Sequence, residues 1–268
     1  MMQNAKRKRP ALIFKPYTRG RALDGSAVKQ GLLLMLICLL FAVLYVVAGL
    51  VTQLGGPAVQ MILNLALVLA CAAILYGRGL QQGVNEVTFG EIVYARQEKG
   101  IAPEQKELSR CFHPAKGIAA ALLAALFLVA LTLPYALTAA RQTYVLQPLP
   151  GWVGGFENQT DIMAPLSYYR QPVSLGVMDM LKYLSRLLTL PFVRMVSENP
   201  DGLLLVDRLS PLLACLPLVG YPLGYVNGPR ARARVHGAIQ ASAQQAQRRR
   251  KKEIQAQKAR TEKKNELI

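Results

Sequence analysis

Residues 30–77 read QGLLLMLICLLFAVLYVVAGLVTQLGGPAVQMILNLALVLACAAILYG, a run of 48 residues without a formal charge between Lys29 and Arg78. Near its middle lies the motif Gly55-Gly56-Pro57, which predicts a turn because glycine raises the entropic cost of a helix and proline lacks the N–H donor. Each half holds about 20 to 24 residues and, at 1.5 Å per residue, matches a hydrocarbon core roughly 30 Å thick. The run therefore predicts two membrane-spanning helices, at 32–54 and 57–77.

Two later stretches predict further spans. Lys116 and Arg141 flank 24 uncharged residues, which predict a span at 117–139. The last apolar stretch, 203–226, is weaker because prolines interrupt it and glycines recur at every fourth residue: Pro211, Pro217, Pro222, Gly220, Gly224 and Gly228. Broken backbone at membrane depth is either buried in protein or lines a cavity, so this stretch is either a kinked packing helix or the border of a substrate path.

Residues 175–196 have an amphipathic pattern. Their polar side chains fall at helical spacing on a narrow stripe: Asp179, Lys182, Arg186 and Thr189. This pattern is typical of a helix that lies in the membrane plane or covers other helices. A fifth span is the alternative, and it is disfavoured because each central unpaired charge costs about 2.5 to 3.5 kcal/mol.

The predicted fold class is an all-α membrane protein with about four transmembrane helices, one amphipathic interfacial helix and a helical basic C-terminal tail. We expect three regions: a basic, poorly ordered leader at 1–30, a helical transmembrane domain at 31–229 and a basic tail at 230–268. Between the second and third spans we expect a mixed-charge loop. In that loop, 87–95 suggests a short strand or an interfacial segment, and 103–109 has the features of a helix start.

The formal net charge of +17 is concentrated at the two ends of the chain, which predicts their location. With four spans and the N-terminus inside, the inner segments hold 26 Lys and Arg residues and the outer segments hold 6. The positive-inside rule therefore predicts a multi-pass protein of the cell membrane with both termini in the cytoplasm.

The side chains offer little for catalysis. We expect free thiols at Cys38, Cys71, Cys111 and Cys215, since three of them lie in apolar stretches and no disulfide framework is suggested. The two histidines lie near no candidate nucleophile, and no nucleotide loop or set of metal ligands stands out. We therefore expect no enzyme activity, no catalytic residues, no cofactor and no metal.

Four polar residues within the spans are the candidate site residues: Gln60, Asn64, Asp207 and Arg208. We expect the two amides to face another helix, and Asp207 and Arg208 to lie near the outer interface, where Lys182 and Arg186 approach Asp207. Two functions stay open. One is a non-enzymatic scaffold or accessory subunit, favoured by the shortage of intramembrane charge. The other is a small-molecule transporter or channel component built around the broken last span.

The basic ends of the chain predict its partners. We expect the bilayer itself, with anionic lipid headgroups bound by both termini, and a membrane protein as a further partner. The tail contains the run Arg248-Arg-Arg-Lys-Lys252, which suits lipid headgroups or the phosphates of nucleic acid, including a ribosome, and lipid is the preferred partner.

Overall fold

The computed structural model of the chain describes residues 12–52, 56–140, 176–197 and 199–265. These residues contain helices and no strands. We number the helices in chain order: α1 Gly25–Thr52, α2 Pro57–Gln97, α3 Gln105–Leu108, α4 Pro114–Thr138, α5 Val177–Leu188, α6 Leu190–Met195, α7 Pro200–Cys215, α8 Gly220–Val226 and α9 Gly228–Asn265. A 3-10 turn, Leu216–Val219, joins α7 to α8.

Four helical segments of the described residues are long and apolar enough to cross a membrane: Gly25–Gly49, Ala58–Gln97, Pro114–Thr138 and Pro200–Val226. Large apolar side chains on them face outward, the reverse of a water-soluble helix bundle. Examples are Leu36, Leu40, Val47, Ile62, Leu69, Leu126, Leu137 and Leu212. The four predicted spans are therefore confirmed as apolar helices of sufficient length, and the turn residues 53–55 between the first two lie outside the described residues.

Helix α2 is much longer than predicted, because it continues without a break from Arg78 to Gln97. The expectation of a strand or interfacial segment at 87–95 is wrong, since the helical hydrogen bonds override the local β propensity of that stretch. The helix ends at Gln97, and in the turn that follows, Gly100 has a φ of 82°, which allows the Ile101 N–H to reach the Arg96 carbonyl at 3.1 Å. The predicted helix start at 103–109 is confirmed by α3.

The chain divides into two compact units. Unit 1 comprises Met1–Leu33, Ala72–Leu123 and Leu218–Ile268, and unit 2 comprises Leu34–Cys71 and Ala124–Pro217. In unit 1 the expectation of a poorly ordered leader is wrong for residues 12–24, which form an extended strap. Its backbone N–H groups at Ile13, Thr18 and Gly20 donate to the carbonyls of Ala233, Gly90 and Phe112.

Glycines allow α2 and α8 to pack closely in unit 1. A Cβ at Gly224 would collide with the Tyr76 carbonyl of α2, and a Cβ at Gly79 would collide with the Tyr221 carbonyl of α8. The predicted role of the recurring glycines in helix packing is therefore confirmed. The small residues Ala73 and Gly77 of α2, in contrast, are exposed.

In unit 2, α5 and α6 pack against α7. The predicted helix at 175–196 is described from Gly176 onward and breaks at Thr189 into two short helices. Asn199 begins α7, and its side-chain oxygen accepts from the N–H groups of Asp201 and Gly202 at 3.1 and 3.3 Å. This cap, followed by Pro200 at the first helical position, starts the helix that carries Asp207.

Candidate functional site

A buried carboxylate, Glu86 on α2, is the centre of a polar cluster in unit 1. Its Oε1 accepts from Lys116 Nζ at 3.0 Å and from the side-chain amides of Gln30 and Gln82, each at 2.9 Å. Its Oε2 accepts a short hydrogen bond from the Tyr225 hydroxyl. We call these five residues the Glu86 cluster. It joins the beginnings of α1 and α4 to α2 and to the end of α8.

Lys116 is the most unusual member of this cluster, because its ammonium group has no solvent exposure. Besides Glu86, it donates to the Ser109 carbonyl at 2.8 Å. An isolated buried ammonium costs several kcal/mol in lost hydration, and the adjacent carboxylate with its hydrogen bonds offsets that cost. The Glu86 cluster is therefore close to neutral overall and hydrogen-bonded on both carboxylate oxygens.

Aromatic packing holds the Tyr225 ring over this cluster. The ring stacks on Phe112 with centroids 5.0 Å apart, and it lies on Gly117, where any side chain would collide with it. Tyr221, one turn earlier, donates its hydroxyl to Gln30 Oε1 at 3.2 Å. Gly117, the residue directly after Lys116, therefore provides the space that lets Tyr225 reach Glu86.

Cys111-Phe112-His113, the closest Cys/His pair in the chain, has a structural role. Cys111 is fully buried and its thiol donates to the Glu107 carbonyl at 3.3 Å, while His113 Nδ1 accepts from the Ala115 N–H at 3.2 Å. Burial raises the pKa of the Cys111 thiol, although the Lys116 charge acts in the opposite direction. The described cysteines Cys38, Cys71, Cys111 and Cys215 are free, as predicted.

A second charge cluster lies in unit 2 and contains one of the predicted site residues. Asp207 is 3% exposed, and its two oxygens accept from Arg186 Nε at 3.1 Å and Arg186 Nη2 at 2.7 Å. The Tyr135 hydroxyl on α4 donates to the same carboxylate at 2.8 Å. We call Asp207, Arg186 and Tyr135 the Asp207 cluster. Of the two cations expected near Asp207, Arg186 forms the ion pair.

The pKa of Arg186 and the pKa of its neighbour Lys182 are shifted in opposite directions. Burial lowers the pKa of Arg186, but its hydrogen bonds and ion pair with Asp207 outweigh this effect and the pKa is raised. Burial and the adjacent Arg186 charge lower the pKa of Lys182. Arg186 therefore remains a permanent cation whose planar guanidinium matches the carboxylate with two parallel hydrogen bonds.

The polar side of α5 faces the protein and its apolar side faces outward. Ser185 and Thr189 are buried, whereas exposed apolar side chains cover the opposite side: Val177, Met178, Met180 and Tyr183. A soluble protein normally buries such a face. In the described part of the chain, the helix therefore uses its polar stripe to reach Asp207, while these four side chains stay exposed.

The other predicted site residues do not join Asp207 in its cluster. Arg208 is exposed, as adjacent residues on a helix point about 100° apart. Asn64 is 1% exposed, in keeping with the expectation that it faces protein, and its Nδ2 has no hydrogen-bond partner among the described residues. Gln60 is half-buried on the preceding turn of α2.

Sequence reasoning missed the Glu86 cluster because residues 78–116 were expected to form a loop. The signal was a helical spacing that continues past Arg78 through Gly79, Gln82, Gly83 and Glu86. Lys116 was treated only as the charge that ends a span. Its pairing with Glu86 links residues 30 positions apart, which no local pattern identifies.

Comparison with protein-family models, with curated proteins and with solved structures finds no match to this chain. The class of protein is therefore defined by the fold alone: the regular elements of the described residues are all helical, and four of these helical segments are long and apolar enough to cross a membrane.

Proposed function

We propose that this chain is a non-enzymatic, multi-pass scaffold or accessory subunit of the cell membrane, with both termini in the cytoplasm. The observation that carries this proposal is that the two buried carboxylates of the described residues, Glu86 and Asp207, are occupied by partners from the same chain. Glu86 accepts from four side chains and Asp207 from two, on both oxygens in each case. A transport site offers its charges to a substrate, whereas these charges hold helices together.

The outward apolar surface supports the membrane part of the proposal. Helix α5 turns Met180 and Tyr183 outward and Arg186 inward, which suits a helix that lies at the membrane surface with its apolar side toward lipid. Near the inner ends of the spans, exposed cations such as Arg21, Lys29 and Arg110 suit anionic headgroups. A membrane protein partner would pack against the exposed small residues Ala73 and Gly77 of α2.

The test is to neutralise each buried pair without leaving an unpaired charge. We would prepare Glu86→Gln with Lys116→Met, and Asp207→Asn with Arg186→Gln, and measure folded yield together with rescue of a strain that lacks the gene. A scaffold keeps its activity in every double variant that retains normal yield and thermal stability, since neutral replacement of a buried pair is often tolerated.

The competing function, a transporter, predicts the opposite result. There a double variant folds with normal yield but loses the ability to rescue the deletion strain, because the charge itself acts on the substrate. Normal folding with loss of rescue in either double variant contradicts the scaffold proposal. The exposed Arg208→Gln serves as a matched single-charge control that leaves both clusters intact.

A further inference from the structure

Unit 1 sets the direction in which the C-terminal helix leaves the membrane. Residues that lie further along α2 contact residues that lie further along α8 and α9. Gly220 packs on Ala72, Gly224 on Tyr76, and Gly228 on Gly83. The beginning of α9 therefore runs alongside α2 in the same direction, away from the apolar segment of α2.

Further contacts beyond Gly228 hold α9 alongside α2. Glu91 Oε2 accepts from Arg232 Nη2 at 2.9 Å, and Glu91 Oε1 lies 2.7 Å from His236 Nε2. On the neighbouring turn, the Ala233 carbonyl accepts from the Ile13 N–H of the N-terminal strap at 3.2 Å. The first turns of α9 are thus held by both α2 and the strap, and the helix continues unbroken to Asn265.

The basic run 248–252 is consequently far from the bilayer. The Glu86 cluster marks the inner edge of the spans, since Lys116 is its member and Lys29 adjoins Gln30. Glu91 lies five residues beyond Glu86, and Arg250 lies 14 residues beyond His236, so at 1.5 Å per residue the run is about 30 Å past that edge, measured along the axes of α2 and α9. Electrostatic attraction to headgroups is screened over about 8 to 10 Å at physiological salt.

The distribution of charge around the helix also argues against a membrane surface. Successive residues turn by about 100°, so the five consecutive cations Arg248, Arg249, Arg250, Lys251 and Lys252 surround the helix axis. Residues 238–255 are exposed apart from the half-buried Ala241, and their large apolar side chains are Ile239 and Ile254. Such a helix has no apolar stripe to insert into lipid or to form the core of a protein interface.

We propose that residues 248–252 bind the phosphate backbone of RNA without sequence specificity, on the cytoplasmic side and clear of the bilayer. The inference rests on the membrane orientation proposed above and replaces lipid, the preferred partner in the sequence analysis, for this part of the chain. A flexible polyphosphate reaches a helix that is charged on every side, and each contact releases condensed counterions.

The experiment uses the full chain in nanodiscs of neutral phosphatidylcholine and a fluorescent, unstructured 30-nucleotide RNA. Replacing the five cations of 248–252 by Gln should weaken binding by about tenfold or more and reduce the salt slope by about three. The matched control replaces five exposed cations near the spans by Gln, and it should bind RNA like the parent: Arg19, Arg21, Lys29, Arg78 and Arg110. Both faces of a nanodisc are open to solution, so this result is independent of orientation in the cell.

Two outcomes overturn the proposal. One is equal RNA binding by the tail variant and the parent, and the other is equally tight, tail-dependent binding of a polyglutamate peptide, which would indicate an acidic protein partner. A fluorophore on Gln247→Cys, in discs with anionic lipid and a headgroup-attached quencher, tests the bilayer alternative, with the parent chain as the labelling control. We expect no quenching, and strong quenching would show that the run lies on the membrane.

Discussion

Lys116 Nζ lies 3.0 Å from Glu86 Oε1, and the lysine has no solvent exposure. The pair lies in unit 1 at the point where α1, α2, α4 and α8 meet. The consequence is that one side chain of the pair is tolerated only in the presence of the other.

Glu86→Gln should therefore destabilise the fold strongly. The substitution preserves shape but leaves the Lys116 charge buried without a counterion, and loss of one partner of a buried pair costs about 3 to 5 kcal/mol. Chemical unfolding of the purified protein measures this cost. The control is Glu107→Gln in the exposed Arg96–Glu107 pair, which should cost about 0 to 1 kcal/mol. Similar effects of both substitutions would refute the structural role of Glu86.

Gly224→Leu should reduce the folded, membrane-inserted yield severely. The new side chain would meet the Tyr76 carbonyl, which is backbone and cannot rotate away, so α8 and α2 must separate. Gly77→Leu is the matched control, because Gly77 lies on the same helix pair and a Cβ there has no neighbour within 4 Å. Size-exclusion profiles and yields compare the folded fraction of the two variants. A normal yield of Gly224→Leu would contradict the packing of α8 against α2.

Tyr135→Phe should weaken unit 2 moderately. It removes the hydroxyl that donates to Asp207 at 2.8 Å and keeps the ring, and a hydrogen bond to a charged group contributes about 1.5 to 3 kcal/mol. Tyr76→Phe removes a hydroxyl that accepts from Asn227 at 3.3 Å on the surface and should have little effect. Thermal melting compares them, and equal melting temperatures would argue against the Tyr135–Asp207 bond.

Cys111 should react slowly with a maleimide in the native protein. Its side chain is fully buried, and burial raises the thiol pKa, which lowers the fraction of reactive thiolate near pH 7 to 8. The adjacent exposed Arg110→Cys should react rapidly under the same conditions. Labelling followed by mass spectrometry distinguishes the two sites, and rapid native labelling of Cys111 would contradict its burial.

Reporter fusions at Gly155 and Ile268 test the topology. We expect an export-dependent reporter to be active at Gly155 and inactive at Ile268, because the positive-inside count favours four spans with both ends inside. Activity at Ile268 would indicate an odd number of spans. That result would also remove the cytoplasmic setting of the proposed RNA contact without affecting RNA binding in nanodiscs.

The sequence by itself determined the candidate spans, because a membrane helix is specified by local length and hydropathy. The glycines at 220, 224 and 228 likewise predicted close packing, since only their spacing is needed to place them on one side of a helix. The same local reasoning failed at 87–95, where β propensity was overridden by helix α2, which buries Val87 and Val93 in unit 1.

The tertiary structure alone decided how the charges are used. The sequence predicted that both Lys182 and Arg186 approach Asp207, and the structure decided that Arg186, 21 positions away, forms the ion pair. Glu86 and Lys116 looked like ordinary polar residues beside a span until the fold brought them together. The direction of α9 also depends on contacts between distant segments, at Gly228 and Glu91. The physical reason is common to all three: the free energy of a charge or of a close backbone contact depends on its neighbours in space, which local sequence patterns do not specify.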